Sequence, residues 1–296
     1  MTDALPEPHA GFFPLPTLGV LAIDGADAAA FLQGQATCDC RQLDATHAAL
    51  GALCNLQGRM IVSFYVFAVD GGLRLLMPRD RVAAVLTHLK KYAVFAKVTL
   101  RDDSDAGALA ACVTDDPAAL PFSITAEDDG AWCIHLRGAR ALRWTQPAHS
   151  PTATDTAGVS AWRAASIRAG ELLIDTASAD AFLPQALNYD VIDGVNFRKG
   201  CYTGQEVVAR MHFKGRMKER LYVLQATGTV PAPGSALQDG DGHEVGRVLD
   251  AVTTRDGCVI AAVVRHDALA RGVIMTADKA PLVRLPAPYA TPDAPP

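Results

Sequence analysis

The sequence predicts an α+β chain that ends in a small all-β region, on three observations. Val82, Val85, Leu86 and Leu89 recur at helical spacing with charges between them, which predicts a helix from about Asp80 to Tyr92. Leu50–Leu56 and Met60–Val69 read as apolar strands, and Asp70-Gly71-Gly72 is a tight-turn signal before a further strand, Leu73–Met77. Beyond Phe213, turn signals at Asp239–Gly242 and Asp256-Gly257 separate β-rich stretches.

The remaining elements follow in chain order. Thr17–Ile23 reads as a strand, and Gly25–Gln35 as a short helix carrying Phe31 and Leu32. Val94–Leu100 alternates like a strand and ends at an Arg-Asp-Asp-Ser-Asp run. Ala106 to about Trp144 has the pattern of short strands and turns. Pro147–Gly158 reads as a surface connection, and Ala161–Ala169 as a helix. Five prolines between 286 and 296 predict a frayed tail.

The 296 residues suit two or three domains, with half of them hydrophobic and a fifth charged, as in soluble proteins. A net charge of -5 gives no support for a nucleic-acid binder over the whole surface, though it leaves room for a local basic patch. The N-terminal stretch lacks a basic region before an apolar core, and no apolar run approaches the ~20 residues a membrane helix needs. No membrane role and a cytoplasmic location are therefore expected. The seven cysteines are odd in number and scattered, which predicts reduced thiols.

No phosphate-binding GxxxxGK[ST] loop, HExxH or paired CxxC motif is present, and the eight histidines show no ligand-like spacing. Cys38-Asp39-Cys40 is the one close cysteine pair. On a strand its two thiols would share a face, and a metal site would need two further ligands. The stretch Arg198–Glu206, RKGCYTGQE, is more specific. Thr203-Gly204-Gln205-Glu206 fits a capping box, with Thr203 as the cap and Glu206 reaching back to it. Cys201 would then sit just before a helix N-terminus, beside Arg198 and Lys199, where positive potential favours a thiolate. A small buried cysteine in a capped turn is the plainer alternative. From Arg198 to Arg220 seven cations stand against two anions, a local +5. It is read either as a solvated basic face or as a site for an anionic ligand or partner, such as a carboxylate tail, RNA or an acidic protein.

FRKGCYTGQEVVAR, preceded by FLPQALNYD, resembles the signature of the YgfZ family of folate-binding proteins, relatives of the glycine-cleavage T-protein that assist iron–sulfur cluster assembly or repair. The resemblance extends upstream through Phe31, Leu32, Gln33, Thr37, Asp39 and Leu43. It continues through the Asn55-x-x-Gly58 turn and LKKYAVFAKVTL, covering most of residues 15–225. It implies a T-protein-like three-part fold: two interleaved α/β pieces around a central channel over residues 1–215, a C-terminal β-barrel over 216–285, then the Pro-rich tail 286–296. It also implies tetrahydrofolate or a derivative in the channel. A pterin needs amide or carboxylate partners and its glutamate tail needs cations. Asn55, Gln185 and Asn188 are the candidate amides, with Lys199 and Arg210 the candidate charges.

The departures from the T-protein are informative. Its acidic residues after the Asn-x-x-Gly turn correspond to Val62 and Ser63 here, and a further acid corresponds to Arg168. None of these can act as a carboxylate base, so aminomethyl transfer is expected to be lost. The resemblance implies a folate-dependent accessory factor with iron–sulfur client or scaffold proteins as partners. Cys201 would be its reactive thiol and Lys199 its neighbour in the catalytic motif. The alternatives are a folate-dependent one-carbon transferase using an acid from elsewhere, and a helper in tRNA modification that makes weak RNA contact through Lys214–Arg220.

Overall fold

In this computed structural model the chain is described over residues 11–113, 120–127, 130–145, 155–272, 274–276 and 278–292. Its elements begin with β1 Phe13–Pro14, β2 Leu18–Asp24, α1 Ala28–Gln33, β3 Ala49–Cys54, β4 Met60–Val69, β5 Gly72–Pro78, α2 Arg79–Lys90 and β6 Thr99–Asp102. β7 Ala108–Val113, β8 Ile124–Ala126, β9 Trp132–Leu136, β10 Arg140–Thr145, α3 Thr156–Arg168 and α4 Gln205–Phe213 follow. The chain closes with β11 Glu219–Ala226, β12 Ala236–Gln238, β13 Glu244–Thr254, β14 Gly257–Arg265, α5 His266–Arg271 and β15 Val283–Arg284. The strands form three five-stranded sheets, in the orders β3-β4-β5-β2-β6, β1-β7-β10-β9-β8 and β12-β13-β14-β11-β15.

The first sheet explains why Met60–Val69 is almost continuously apolar. Side chains alternate across a strand. Val62, Phe64 and Val66 of β4 face α1 and α2, where they meet Leu32, Val82, Val85 and Leu89. Tyr65 and Phe67 point the other way, into a core shared with Ile134, Leu142 and Trp144 of the second sheet. A strand buried on both faces has no polar side to show in its sequence. The Asp70–Gly72 turn forms as expected: Val69 pairs with Gly72, and Gly71 takes a positive φ of 81°.

Helix α3 joins all this to the third sheet. Asp155 caps it by accepting a hydrogen bond from the Gly158 amide at 2.8 Å. Trp162 and Ala165 pack into the core of the first two sheets. Ala164 and Ile167 pack on Leu221, Val223, Val259 and Ala261 of the third. The opposite face of that sheet buries Tyr222, Leu224, Ile260 and Val264 against Ala268 of α5. No continuous strand pairing closes this sheet into a barrel among the described residues. β12 and β15 are its edges, and single bridges, Gln238 to Met275 and Met275 to Pro281, lie between them.

Three local expectations are corrected. Val94–Leu100 is not a strand: Ala93–Phe95 forms a 3-10 turn with Val94 and Phe95 exposed, and only Thr99–Asp102 pairs. Turn hydrogen bonds continue past α2, from Tyr92 N to Leu89 O and from Ala96 N to Ala93 O, so the alternation reaches the sheet only at Thr99 and Leu100. Arg220 belongs to no solvated basic face. It is buried and makes a bidentate pair with Asp190 at 2.9 and 3.0 Å. Tyr289, expected in a frayed tail, donates to the Gly170 carbonyl at 2.8 Å; residues 293–296 lie outside the described residues. No helix among the described residues is long and apolar enough to cross a membrane.

Candidate functional site: the cysteine loop and the cavity between the sheets

The loop before α4 is held by close backbone approach. Gly204 has a φ of 83°, and a Cβ there would lie 2.4 Å from the Asn55 carbonyl oxygen and 3.1 Å from Gly58 Cα. The Asn55–Gly58 turn closes through Gly58 N to Asn55 O at 2.9 Å, with Gly58 itself at φ 74°. Two glycines thus let the two signature segments touch. The Asn55 side chain is spent on that turn: Oδ1 accepts from the Gln57 and Arg59 amides, and Nδ2 donates to Asp180 at 2.7 Å.

The capping box does not form. Left-handed Gly204 occupies the cap position and α4 begins at Gln205, so no side chain caps it. Thr203 Oγ1 lies instead 3.5 Å from Gln35 Oε1, and Glu206 is exposed. Lys199 is buried. Its Nζ donates to the carbonyls of Gln33, Ala36 and Cys38 at 2.7, 2.5 and 2.9 Å, and lies 5.2 Å from the Tyr202 ring centroid. Three acceptors match the three N–H groups of an ammonium, while burial pulls its pKa below the usual lysine value. Lys199 therefore staples the cysteine loop to the 33–38 segment.

Cys201 is exposed; the other six cysteines are buried. Cys38 and Cys40 do not share a strand face. They flank Asp39, which receives the Arg41 amide at 3.2 Å and starts a 3-10 turn at Cys40–Gln42. Gln185 and Asn188 are buried at the back of the loop. Gln185 Nε2 donates to Val208 O of α4 at 2.7 Å, and Asn188 Nδ2 to Leu221 O of β11 at 2.9 Å. Arg210 is exposed on α4.

None of Asn55, Gln185, Asn188, Lys199 or Arg210 lines the cavity of about 520 Å³ that opens between the three sheets. Tyr65 of β4, Arg140 of β10, Ser166 of α3 and Asp250 of β13 form its walls, with Glu171 just beyond α3. Glu171 Oε1 accepts from Tyr65 Oη at 2.7 Å and from Arg140 Nη2 at 2.6 Å. Arg140 Nη1 also donates to Ser166 Oγ at 2.9 Å. Burial, reinforced by the Glu171 carboxylate, pushes the Tyr65 phenol well above its usual pKa. The second carboxylate oxygen, Glu171 Oε2, is buried with no hydrogen-bond partner; Arg137 Nε is 3.7 Å away. At the half-exposed side, Arg163 pairs with Asp250 and Arg79 with Asp105.

Sequence reasoning missed this set. Its one signal was Glu171 itself, a lone acid directly before the apolar Leu172-Leu173-Ile174. Val62 is buried among apolar side chains, and Ser63 Oγ accepts from the Ile174 amide at 2.7 Å.

No family model matches the chain. It is similar to curated proteins named tRNA-modifying protein YgfZ. It is 36% identical to the one from Klebsiella pneumoniae, over 92% of this chain and 90% of that protein. It is 33% identical to the one from Sodalis glossinidius over the same shares. Among solved structures it resembles the glycine cleavage system aminomethyltransferase T from Bartonella henselae. The TM-score is 0.73 at 16% identity, covering 96% of this chain and 86% of that one, a likeness of fold. The signature read in RKGCYTGQE and the extent of these matches agree: the chain belongs to the YgfZ family.

Proposed function

We propose that this protein serves tRNA modification, as its relatives are named for, and that it does so with a tetrahydrofolate-type ligand held in the cavity between the sheets on a three-part, T-protein-like frame. The tRNA reading is favoured over an iron–sulfur role because it is the function in the names of relatives that match nearly the whole chain. The observation that carries the ligand is Glu171 Oε2, buried with no hydrogen-bond donor and with Arg137 Nε no nearer than 3.7 Å. A buried carboxylate oxygen without a donor costs free energy, and a ligand N–H relieves it. The amino-pyrimidinone edge of a pterin offers adjacent N–H donors of that kind. Arg140 and Tyr65 fix the carboxylate from its other oxygen, so its free oxygen needs no reorganisation on binding. The volume is in the range of small-molecule sites, and Arg79 and Arg163, each paired with an aspartate, line the cavity and supply the cations a glutamate tail would need.

No carboxylate occupies positions 62, 63 or 168, so the protein is proposed to bind folate without aminomethyl transfer. In a glycine-cleavage assay it should not replace the T-protein; robust turnover would instead support the one-carbon transferase alternative. Titration with tetrahydrofolate should give binding that Glu171→Gln weakens at least tenfold, since the amide places a donor or a weaker acceptor against the same edge. Unchanged affinity in that variant removes the cavity assignment. Restoration of tRNA modification in a strain lacking its own family member tests the wider reading, and failure of the wild-type chain to restore it counts against that reading. Cys201 supports a second reading, action on iron–sulfur clients, because it is the exposed thiol of the family motif. A single thiolate suits transient ligation or docking better than stable cluster holding.

A further inference from the structure

A groove of about 820 Å³ runs beside α4, lined by His47, Phe122, Phe197, Arg198, His212 and Phe213 among others. Phe197 and His212 stack, with ring centroids 3.7 Å apart and planes 16° from parallel. Phe213 meets the His212 ring edge-on at 4.8 Å and is 69% exposed. Arg198 lines the groove, as do Asp39 and Asp193, which are paired with Arg41 and Arg137. Arg210, one turn before Phe213, and Lys214, directly after it, stand beside the groove on the end of α4; all three cations are exposed and have no acidic partner among the described residues. The chain as a whole carries -5, so unpaired cations gathered beside stacked rings are a local departure from its average.

We propose that this groove holds an unstacked nucleobase of single-stranded RNA, with the flanking phosphates on Arg198, Arg210 and Lys214. The proposal rests on the tRNA reading and says where on the surface the RNA is held. A flat apolar face next to cations fits a planar ring carried on an anionic backbone. A base inside a duplex offers no free face, so a loop or single-stranded segment is the form that fits. The basic run Lys214–Arg220 contains no aromatic residue, which counts against stacking within it. The fold supplies the rings instead from Phe197 and from the end of α4. Arg198 and Cys201 are three positions apart, so their Cα atoms lie within about 11 Å of each other.

The test measures binding of a fluorescent single-stranded oligoribonucleotide and of unmodified tRNA to the full chain. Phe213→Ala should weaken both about tenfold or more, the expected loss for one stacked base. Arg198→Gln should lower the slope of log affinity against log salt by about one phosphate contact. Phe95→Ala removes an even more exposed aromatic, 99% against 69%, outside the groove and should leave binding unchanged. If wild type binds RNA and Phe213→Ala binds it as tightly, the groove assignment is overturned while the tRNA reading stands. If wild type binds no RNA yet restores tRNA modification in the deletion strain, the groove assignment is again overturned. Loss of that restoration in Phe213→Ala with RNA affinity intact points to a protein occupant and also overturns the proposal. If wild type restores nothing, the tRNA reading itself fails.

Discussion

Arg198 and Lys199 are adjacent in sequence and opposite in kind. Lys199 is buried, with each of its three N–H groups on a backbone carbonyl; Arg198 is exposed on the groove with no acidic partner. The same division runs through the molecule. Arg140 and Arg220 are seated in the interior on Glu171 and Asp190, whereas Arg210 and Lys214 stand in solvent. A buried cation without its partners is expensive, so interior cations act as fixed structure. An exposed cation gives up little to stand alone and remains available to a ligand. The local +5 read along residues 198–220 therefore divides into staples and contacts.

The strongest way to break this division is to strand an interior charge. Glu171→Ala leaves the fully buried Arg140 guanidinium without its carboxylate and Tyr65 without its acceptor. It should destabilise the protein by about 3–5 kcal/mol in urea unfolding. Glu171→Gln keeps the shape and an acceptor but not the charge, so it should lose less stability than Glu171→Ala while losing folate. A small effect from Glu171→Ala would mean that the cavity floor is solvated and not a preset ligand seat. Next in size is Lys199→Met, which leaves three carbonyls without a donor. At ~1 kcal/mol or more for each unmet group, about 3 kcal/mol is expected, read as a lowered Tm. Arg198→Met, one residue away, should stay within about 0.5 kcal/mol of wild type. Equal losses at the two positions would erase the distinction between them.

Gly204→Ala comes after these. It puts a Cβ against the Asn55 carbonyl and forces a left-handed φ on an L residue, for an expected cost of about 1–3 kcal/mol. Because Gly204 joins the Asn55–Gly58 turn to the cysteine loop, faster proteolysis of that loop should accompany the loss. If Gly204→Ala is neutral, the two signature segments do not depend on their glycine contact.

How much of this was legible in the sequence depends on which physics set each feature. β4, β5 and α2 were readable because hydrophobic periodicity and a glycine turn act within ten or so residues. The Asn55–Gly58 turn was readable only through its likeness to the T-protein's Asn-x-x-Gly turn; the apolar pattern alone ran the strand through Leu56, whereas it ends at Cys54. Thr203 misled because the capping pattern is local, whereas the φ of Gly204 is set by a turn about 150 positions earlier in the chain. Val94–Leu100 misled because the turn hydrogen bonds after α2 wind its first residues into a 3-10 turn, and the chain reaches the β2 edge only at Thr99. Glu171, Arg140 and Tyr65 come from three elements, and no spacing rule unites them. Gln185 and Asn188 had the right chemistry for a pterin, but their amide N–H groups are committed to Val208 and Leu221, and neither side chain lines the cavity.

The smallest expected effect on stability is at Cys201, and it tests the exposed side of the division directly. Burial raises the pKa of the thiols of Cys54 and Cys133 to about 12, so at neutral pH they are both hidden and protonated. Cys38, Cys40, Cys112 and Cys258 are buried as well. Brief treatment of the folded protein with iodoacetamide should therefore add one group, mapped to Cys201 by mass spectrometry, and treatment in denaturant should add seven. The singly modified protein should unfold within about 0.5 kcal/mol of the untreated one, because no packed contact is lost. Folate affinity should also be unchanged if the ligand lies in the cavity lined by Glu171. If alkylation of Cys201 abolishes folate binding while leaving stability intact, the ligand sits at the cysteine loop, and the interior cavity must then serve another molecule.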